Sequence, residues 1–269
     1  FLDVLALNYG AGMRLIDYEN NPEAACRVIN AWVSDRTERK IKDMVPAGAL
    51  DASTRLVLAN AIYFNADWDS PFKRFNTKSG TFHLLDGDEI QVPMMYQAER
   101  LLYAKGEGYQ LVELPYVQRE IVMDILIPNP GEFRAVVSSL DASRVIEILR
   151  ELDYQGVMLT LPKFEFESDF ALSDTLAEMG MPSAFSLAAD FSGMDGARDL
   201  NISEVLHKAF ISVDEEGAEA GAASTVFAQV ISGLGPAIEV KMDRPFVFWI
   251  RDLPTGTVLF VGRVLNPAQ

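Results

Sequence analysis

The sequence predicts an α+β fold, and three stretches carry that expectation. Residues 205–213 alternate at period two, with Val205, His207, Ala209, Ile211 and Val213 on one face, as a strand does. Residues 55–64 (Arg-Leu-Val-Leu-Ala-Asn-Ala-Ile-Tyr-Phe) are apolar on both faces, which marks a central strand covered on both sides. Asn21-Pro22-Glu23 sets a cap, a proline at the first helical position and an acid in the first turn. Ala25, Val28, Ile29, Trp32 and Val33 follow as an apolar stripe at helical spacing, the mark of a surface helix packed on a sheet.

The other elements follow in chain order. Residues 1–7 read as the end of a helix, and 13–18 as a short strand after Gly10 and Gly12. Residues 81–95 form a hairpin turning at Asp86-Gly87. Strands are expected around 101–104, 110–114 and 121–127, then helices over 131–139 and 141–152. Residues 157–166 alternate as a strand, with Pro162 marking an edge or a bend. A short helix fits 170–179, and a loop at 189–194 precedes a strand from Ile202. Near the end, 238–242 reads as a strand, and 244–250 with 257–264 as a hairpin around Pro254-Thr255-Gly256. No internal repeat or second domain is evident, so residues 1–269 read as one domain.

Composition narrows the function classes. The 269 residues are 49% hydrophobic, enough for a sizeable core. With 23 Lys+Arg against 39 Asp+Glu the formal net charge is −16, and no basic patch offers itself to nucleic acid. No apolar run approaches bilayer-spanning length, so no membrane partner is expected. The one cysteine, Cys26, has no internal disulfide partner and reads as a small buried residue. Of the two histidines, His83 lies in a strand without metal-ligand spacing and His207 reads as buried. Neither fits the base of a catalytic triad, and motifs for a metal, a phosphate cradle or a nucleophile elbow are missing. Asp86/Asp88 and Glu215/Glu216 read as turn and solvated carboxylates rather than a catalytic pair. No cofactor, metal or catalytic residue is expected.

One stretch stands apart. After the strand at 205–213 the chain enters Asp214-Glu215-Glu216-Gly217-Ala218-Glu219-Ala220-Gly221-Ala222-Ala223-Ser224-Thr225, with almost no anchoring bulk. The composition suits a flexible linker. The parity suits something else. Every second residue gives Ala218, Ala220, Ala222, Ser224, Val226, Ala228 and Val230, none charged or bulky, whereas the other parity, Glu219, Gly221, Ala223, Thr225, Phe227 and Gln229, holds the large and charged groups. A segment that must lie as a strand over a crowded core sorts itself this way.

At these residues the chain resembles the serpins, serine protease inhibitors that trap their target by inserting a loop into a sheet. Glu215, Glu216, Gly217, Ala218, Glu219, Ala220, Gly221, Ala222, Ala223 and Ser224 match the family's hinge pattern, and the preceding strand and C-terminal hairpin stand in the family's order. The loop at 189–194 and the ending Phe260-Val261-Gly262-Arg263-Val264-Leu265-Asn266-Pro267 are also similar to the family's, so the resemblance covers the whole chain. It implies a serpin fold with a large mixed central sheet, further sheets and surrounding helices. A serpin carries a large helical N-terminal portion and one central strand ahead of the point matching Phe1. The chain is therefore read as lacking that portion, where any secretion signal would lie, and the expected location is extracellular or in the cell envelope.

The resemblance also implies roles. The helix begun at Asn21 lies across the main sheet in the family and yields during insertion. Asn60 and His207, which on residue type alone read as structural groups needing partners, fall at positions that hydrogen-bond where the sheet parts. Trp68 matches the tryptophan under the loop's point of entry, although Ala66 stands where the family usually has glycine. The reactive loop spans about 215–237. Counting fourteen residues from Gly217 puts the scissile bond at Ile231–Ser232; Gly217 to Pro245 spans 28 residues, a long connection, and Leu234 is the second candidate. The implied function is suicide-substrate inhibition of serine or cysteine endopeptidases by a monomer. A β-branched Ile231 and the absence of Arg or Lys over 217–239 point to an elastase-like or broad-specificity serine protease rather than a trypsin-like one. The alternative is a non-inhibitory serpin-fold protein for binding, storage or chaperoning. Such members tend to break the hinge with charged or bulky residues, and here the hinge is intact.

Overall fold

A computed structural model of the chain describes residues 7, 14–217 and 237–268. In chain order the elements are α1 (Pro22–Arg36), β1 (Leu56–Tyr63), β2 (Lys78–His83), β3 (Glu89–Gly106), β4 (Tyr109–Pro115), β5 (Ile121–Pro128), α2 (Phe133–Ser139) and α3 (Ala142–Arg150). They continue with β6 (Asp153–Pro162), β7 (Phe164–Ala171), α4 (Ser173–Glu178), α5 (Ser192–Asp195), β8 (Ile202–Val213), β9 (Ile238–Lys241), β10 (Phe246–Asp252) and β11 (Val258–Val264). The chain clusters into two units, residues 1–63 with 167–210, and residues 64–166 with 211–269.

In the first unit β8 lies between β1 and β7, and β1 runs parallel to β8 with Asn60 opposite His207. Helix α1 starts as its sequence demands: the Asn21 side chain accepts the Ala24 N–H at 3.0 Å and Pro22 occupies the first turn. Ala25, Cys26, Ile29 and Val33 are its buried face, packed with Leu206 and Phe210 of β8 and with Val57, Ala59 and Ala61 of β1. Cys26 is thus a small core residue, while Val28, expected in the stripe, is 47% exposed; the buried face is rotated by about one position toward Cys26. β1 is covered on one face only. Val57, Ala59 and Ala61 point at α1, whereas Leu58 is 43% exposed and Asn60 is solvent-accessible, because no described element covers the other face of that unit's sheet. Residues 14–17, expected as a strand, are not in a ladder; no backbone among the described residues supplies their hydrogen-bond partners.

The second unit is an eight-stranded mixed sheet in the order β11-β10-β5-β4-β3-β6-β9, with β2 paired to β3 off this path. All pairs are antiparallel except β6 with β9. The β2–β3 hairpin turns at Asp86-Gly87, where Gly87 takes φ +95°. The stretches expected at 89–95 and 101–104 are one strand, β3, which pairs with β6 along much of its length and with β4 at its end. Phe82, Met95, Met123, Leu159 and Phe246 lie in its main core, and α2 and α3 cover Leu126, Val247 and Trp249 with Phe133 and Ile148. Pro162 ends β6, and the chain bends at Lys163, whose N–H donates to the Pro93 carbonyl at 2.9 Å before β7 begins. That bend presents the Lys163 ammonium to Glu215, just after β8.

Candidate functional site

The segment after β8 is fastened by its backbone. The Trp68 N–H donates to the Glu216 carbonyl at 2.9 Å, and the Phe72 N–H to the Glu215 carbonyl at 2.8 Å. The Trp68 indole Nε1–H donates to the Asp214 carbonyl at 3.0 Å. The Asp214 carboxylate accepts the Glu216 N–H at 2.9 Å and the Gly217 N–H at 3.3 Å, closing the turn. Gly217 forms an antiparallel bridge with Asp67 at φ +124°. A Cβ there would lie 2.3 Å from the Ala66 carbonyl oxygen and 2.7 Å from both Asp67 Cα and Trp68 N. Only glycine fits that conformation and that approach. On its other side, residues 67–69 bond to the end of β4: Asp69 N–H to the Pro115 carbonyl at 3.0 Å, Val117 N–H to the Asp67 carbonyl at 2.8 Å. Trp68, 2% exposed, stacks on Tyr116 with centroids 4.4 Å apart.

Side chains add charge to this anchorage. Glu215 is 5% exposed, so the expectation of a solvated carboxylate is corrected. It accepts from Lys163 Nζ at 2.7 Å and from Thr77 Oγ1 at 2.7 Å. Burial opposes its ionisation, but the hydrogen bonds from Lys163 and Thr77 outweigh that and hold the carboxyl below the usual range. Glu216 pairs with Arg74 at 2.7 Å on a more exposed edge. Asp86 and Asp88 do sit in an exposed turn, the Asp88 N–H donating to Asp86 Oδ1 at 3.1 Å.

The remaining expected residues divide between the units. In the first, His207 Nδ1 and Asn60 Oδ1 are 3.0 Å apart across the β1–β8 pair, and the Phe170 ring stacks on His207 at 6.3 Å. Both polar groups are accessible to solvent rather than buried, since they lie on the uncovered face. In the second unit, Trp68, Glu215, Glu216 and Gly217 come together as above. Ala218, Glu219, Ala220, Gly221, Ala222, Ala223 and Ser224, and the bond candidates Ile231, Ser232 and Leu234, lie outside the described residues. Sequence reasoning missed Thr77, Arg74 and Lys163; only the bend implied by Pro162 pointed toward Lys163. Among the described residues no group of three or more His, Cys, Asp or Glu is arranged to hold a metal, and His83 pairs with Glu89 at 3.2 Å.

A second charged cluster lies within the sheet of the same unit. Arg251 on β10 donates to Asp124 Oδ2 at 2.9 Å and to Glu113 Oε2 at 2.7 Å. Asp124 is fully buried, and burial, opposed by Arg251, pushes its carboxyl up. Burial and the Asp124 charge push Glu113 up to about 7. One guanidinium serves two carboxylates, so the trio holds a proton more tightly than an exposed acid does.

Known proteins place this geometry. The family model described as serpin (serine protease inhibitor) matches residues 1–267. An uncharacterised serpin-like protein of Thermococcus kodakarensis is 41% identical over 99% of this chain and 62% of its own length. Antithrombin-III of Homo sapiens is 38% identical over 99% of this chain and 59% of its length; the leukocyte elastase inhibitor of Bos taurus is 38% identical over 96% and 71%. The chain thus spans about three fifths of the first relatives it matches. Among solved structures, uncleaved ovalbumin superposes with a TM-score of 0.90 at 28% identity, covering 99% of this chain and 72% of that one. Thyroxine-binding globulin in complex with thyroxine superposes at 0.86 and 28%, covering 99% and 70%. The α+β architecture and these matches agree, and the chain belongs to the serpin family.

Proposed function

We propose that the chain belongs to a suicide-substrate inhibitor of serine or cysteine endopeptidases. The observation that carries the reading is the parallel β1–β8 pair, whose strand β8 continues into the anchored hinge and then into residues 218–230 with their small-residue parity. A segment folding back from the end of β8 runs antiparallel to it. Inserted between β1 and β8, it would be antiparallel to both neighbours, replacing one parallel ladder by two antiparallel ones, which are slightly stronger per residue. The Asn60–His207 contact lies on the line that must part.

In this reading a protease serine attacks the Ile231 carbonyl and forms an acyl-enzyme, releasing Ser232 at the new N-terminus. Residues 218–231 then insert, and at about 3.3 Å per residue fourteen residues carry the tethered protease roughly 45 Å. Distortion of its oxyanion donors stalls deacylation; one lost donor costs about 10²–10³ in rate. The proposed partner is an elastase-like or broad-specificity serine protease, met by a monomer in the extracellular space or the cell envelope. The non-inhibitory reading draws on the likeness to ovalbumin and thyroxine-binding globulin, and it leaves the small-residue parity of 218–230 without a purpose.

The test is incubation of the full-length protein with an elastase-like protease. A detergent-resistant covalent complex and a released peptide beginning at Ser232 are expected. Cleavage without complex supports the non-inhibitory reading, and a peptide beginning after Leu234 moves the bond.

A further inference from the structure

Three turns of the second unit meet around a cleft of about 510 Å³, within the size range of small-molecule sites. They are the β2–β3 turn at 83–85, the β5–α2 turn at 128–134 and the β9–β10 turn at 243–245. The His83 N–H donates to the Asp243 carbonyl at 2.8 Å and fastens the first turn to the third. Two guanidinium groups line the cleft with donors to spare. Arg244 is held by Nε donating to the Pro128 carbonyl at 2.9 Å and Nη1 donating to Asp243 Oδ1 at 2.8 Å, which leaves Nη2 without a hydrogen bond among the described residues. Arg134 is exposed and has neither a hydrogen bond nor an ion pair among the described residues. We propose that the cleft is a binding site for an organic monoanion, a carboxylate on an apolar body, held by Arg134 and Arg244.

The lining selects that chemistry. Asp243 is the one carboxylate on it, and Arg244 already answers that charge. His83, also on the lining, pairs with Glu89 at 3.2 Å. The charge left over is that of Arg134. A carboxylate cancels it and accepts two parallel N–H bonds, the pairing a guanidinium favours. A phosphate monoester carries close to two charges, and the second would face Asp243 without a partner. An ammonium would meet two guanidinium groups. The chain's net charge of −16 does not decide the matter, because exposed charges beyond a Debye length of about 8 Å are screened at physiological salt. The walls for the body of the ligand are Leu84, Leu85, Pro130, Phe133 and Pro245. Leu85 is 47% exposed, so an apolar body against it takes that surface out of water. The two prolines have no N–H to be left unpaired beneath it.

The site stands apart from the inhibitor reading, and its test uses the full-length protein without any protease. The probes are naphthalene-2-carboxylate, naphthalene-2-carboxamide, 2-naphthyl phosphate and acetate. Calorimetric titration should show saturable binding of the naphthalene carboxylate, at least about tenfold tighter than the carboxamide and than acetate. The phosphate should bind no tighter than the carboxylate; tighter binding overturns the monoanion assignment. Acetate binding as well as the naphthalene carboxylate overturns the apolar body. Arg134→Gln should fold normally, because its side chain is exposed and unpaired among the described residues. In that variant the carboxylate's advantage over the carboxamide should shrink to about threefold or less. Failure of the carboxylate to bind saturably, or an unchanged advantage in Arg134→Gln, overturns the site. Hydrogen exchange at the His83 and Asn129 amides, which donate to the Asp243 and Gly108 carbonyls, should slow when the carboxylate is bound; unchanged exchange at both overturns the placement. Failure to form a protease complex would count against the inhibitor reading alone.

Discussion

At the scale of single residues, Gly217 and Glu215 decide whether the segment after β8 stays fastened. A Cβ at Gly217 would meet backbone at 2.3 Å, which no side-chain rotation relieves. Gly217→Ala is therefore expected to break the bridge to Asp67 and destabilise the protein by about 1–3 kcal/mol, read by urea melts, with faster hydrogen exchange at Trp68. Glu215 acts through charge. Its folded-state pKa lies below the ordinary value, so its stabilisation is full above the usual carboxylate range and fades as pH falls through that range. Glu215→Gln should cost about 1–3 kcal/mol at neutral pH and almost nothing once the native carboxylate would be protonated, measured as melts at a series of pH values. Gly217 was singled out in the sequence through the family's hinge pattern, and the structure gives it a backbone bridge and an approach that only glycine fits. The burial of Glu215 was not legible there, because Lys163 lies 52 and Thr77 138 residues away in sequence, and local pattern does not register partners at that distance. Asn60 and His207 were legible as a pair only through the family resemblance; spacing alone gave two unrelated polar groups.

At the scale of elements, strands and helices with clear period and punctuation were legible: α1 from its Asn-Pro-Glu start, the β2–β3 hairpin from Asp86-Gly87, the β6–β7 break from Pro162. What was illegible depended on neighbours. An apolar strand announces that it wants cover on both faces, and the one-sided burial of β1 reflects which elements are there to supply it. Residues 14–17 likewise carry a strand-like pattern without a ladder. The element that matters for the proposed function is the 218–230 segment, whose even-numbered face must pack inward on insertion. Ala220→Arg would bury an unpaired charge there, so the variant is expected to be cleaved as a substrate, with covalent complex on denaturing gels falling by about tenfold or more. A stable complex at the original stoichiometry would sink the insertion mechanism. Ile231→Arg changes only the bait, and selectivity should shift toward trypsin-like proteases in a panel of inhibition rates; unchanged selectivity would move the bond away from Ile231.

At the scale of the whole molecule, the chain passes between its two units after Tyr63, Phe166 and Phe210, so β7 and β8 each contribute residues to both. Insertion beside β8 would strengthen the sheet of the first unit, since two antiparallel ladders replace a parallel one and a small-residue face is buried. For a protein of this size each kcal/mol gained raises Tm by about 2–4 °C. A single nick at the bait bond should therefore raise Tm, by roughly 10–20 °C if the gain is about 5 kcal/mol. Scanning calorimetry before and after nicking checks this, and the nicked Ala220→Arg protein should show no rise.

The fastening of Glu215–Gly217 has a consequence for how genes of this kind drift. It fixes an origin from which the downstream segment is counted. Deleting one codon between Gly217 and Ile231 would leave the backbone fastening of Glu215–Gly217 as it is yet swap the two sides of the would-be rung, whereas deleting two would keep its phase. Length variation in this interval should accordingly survive selection in pairs.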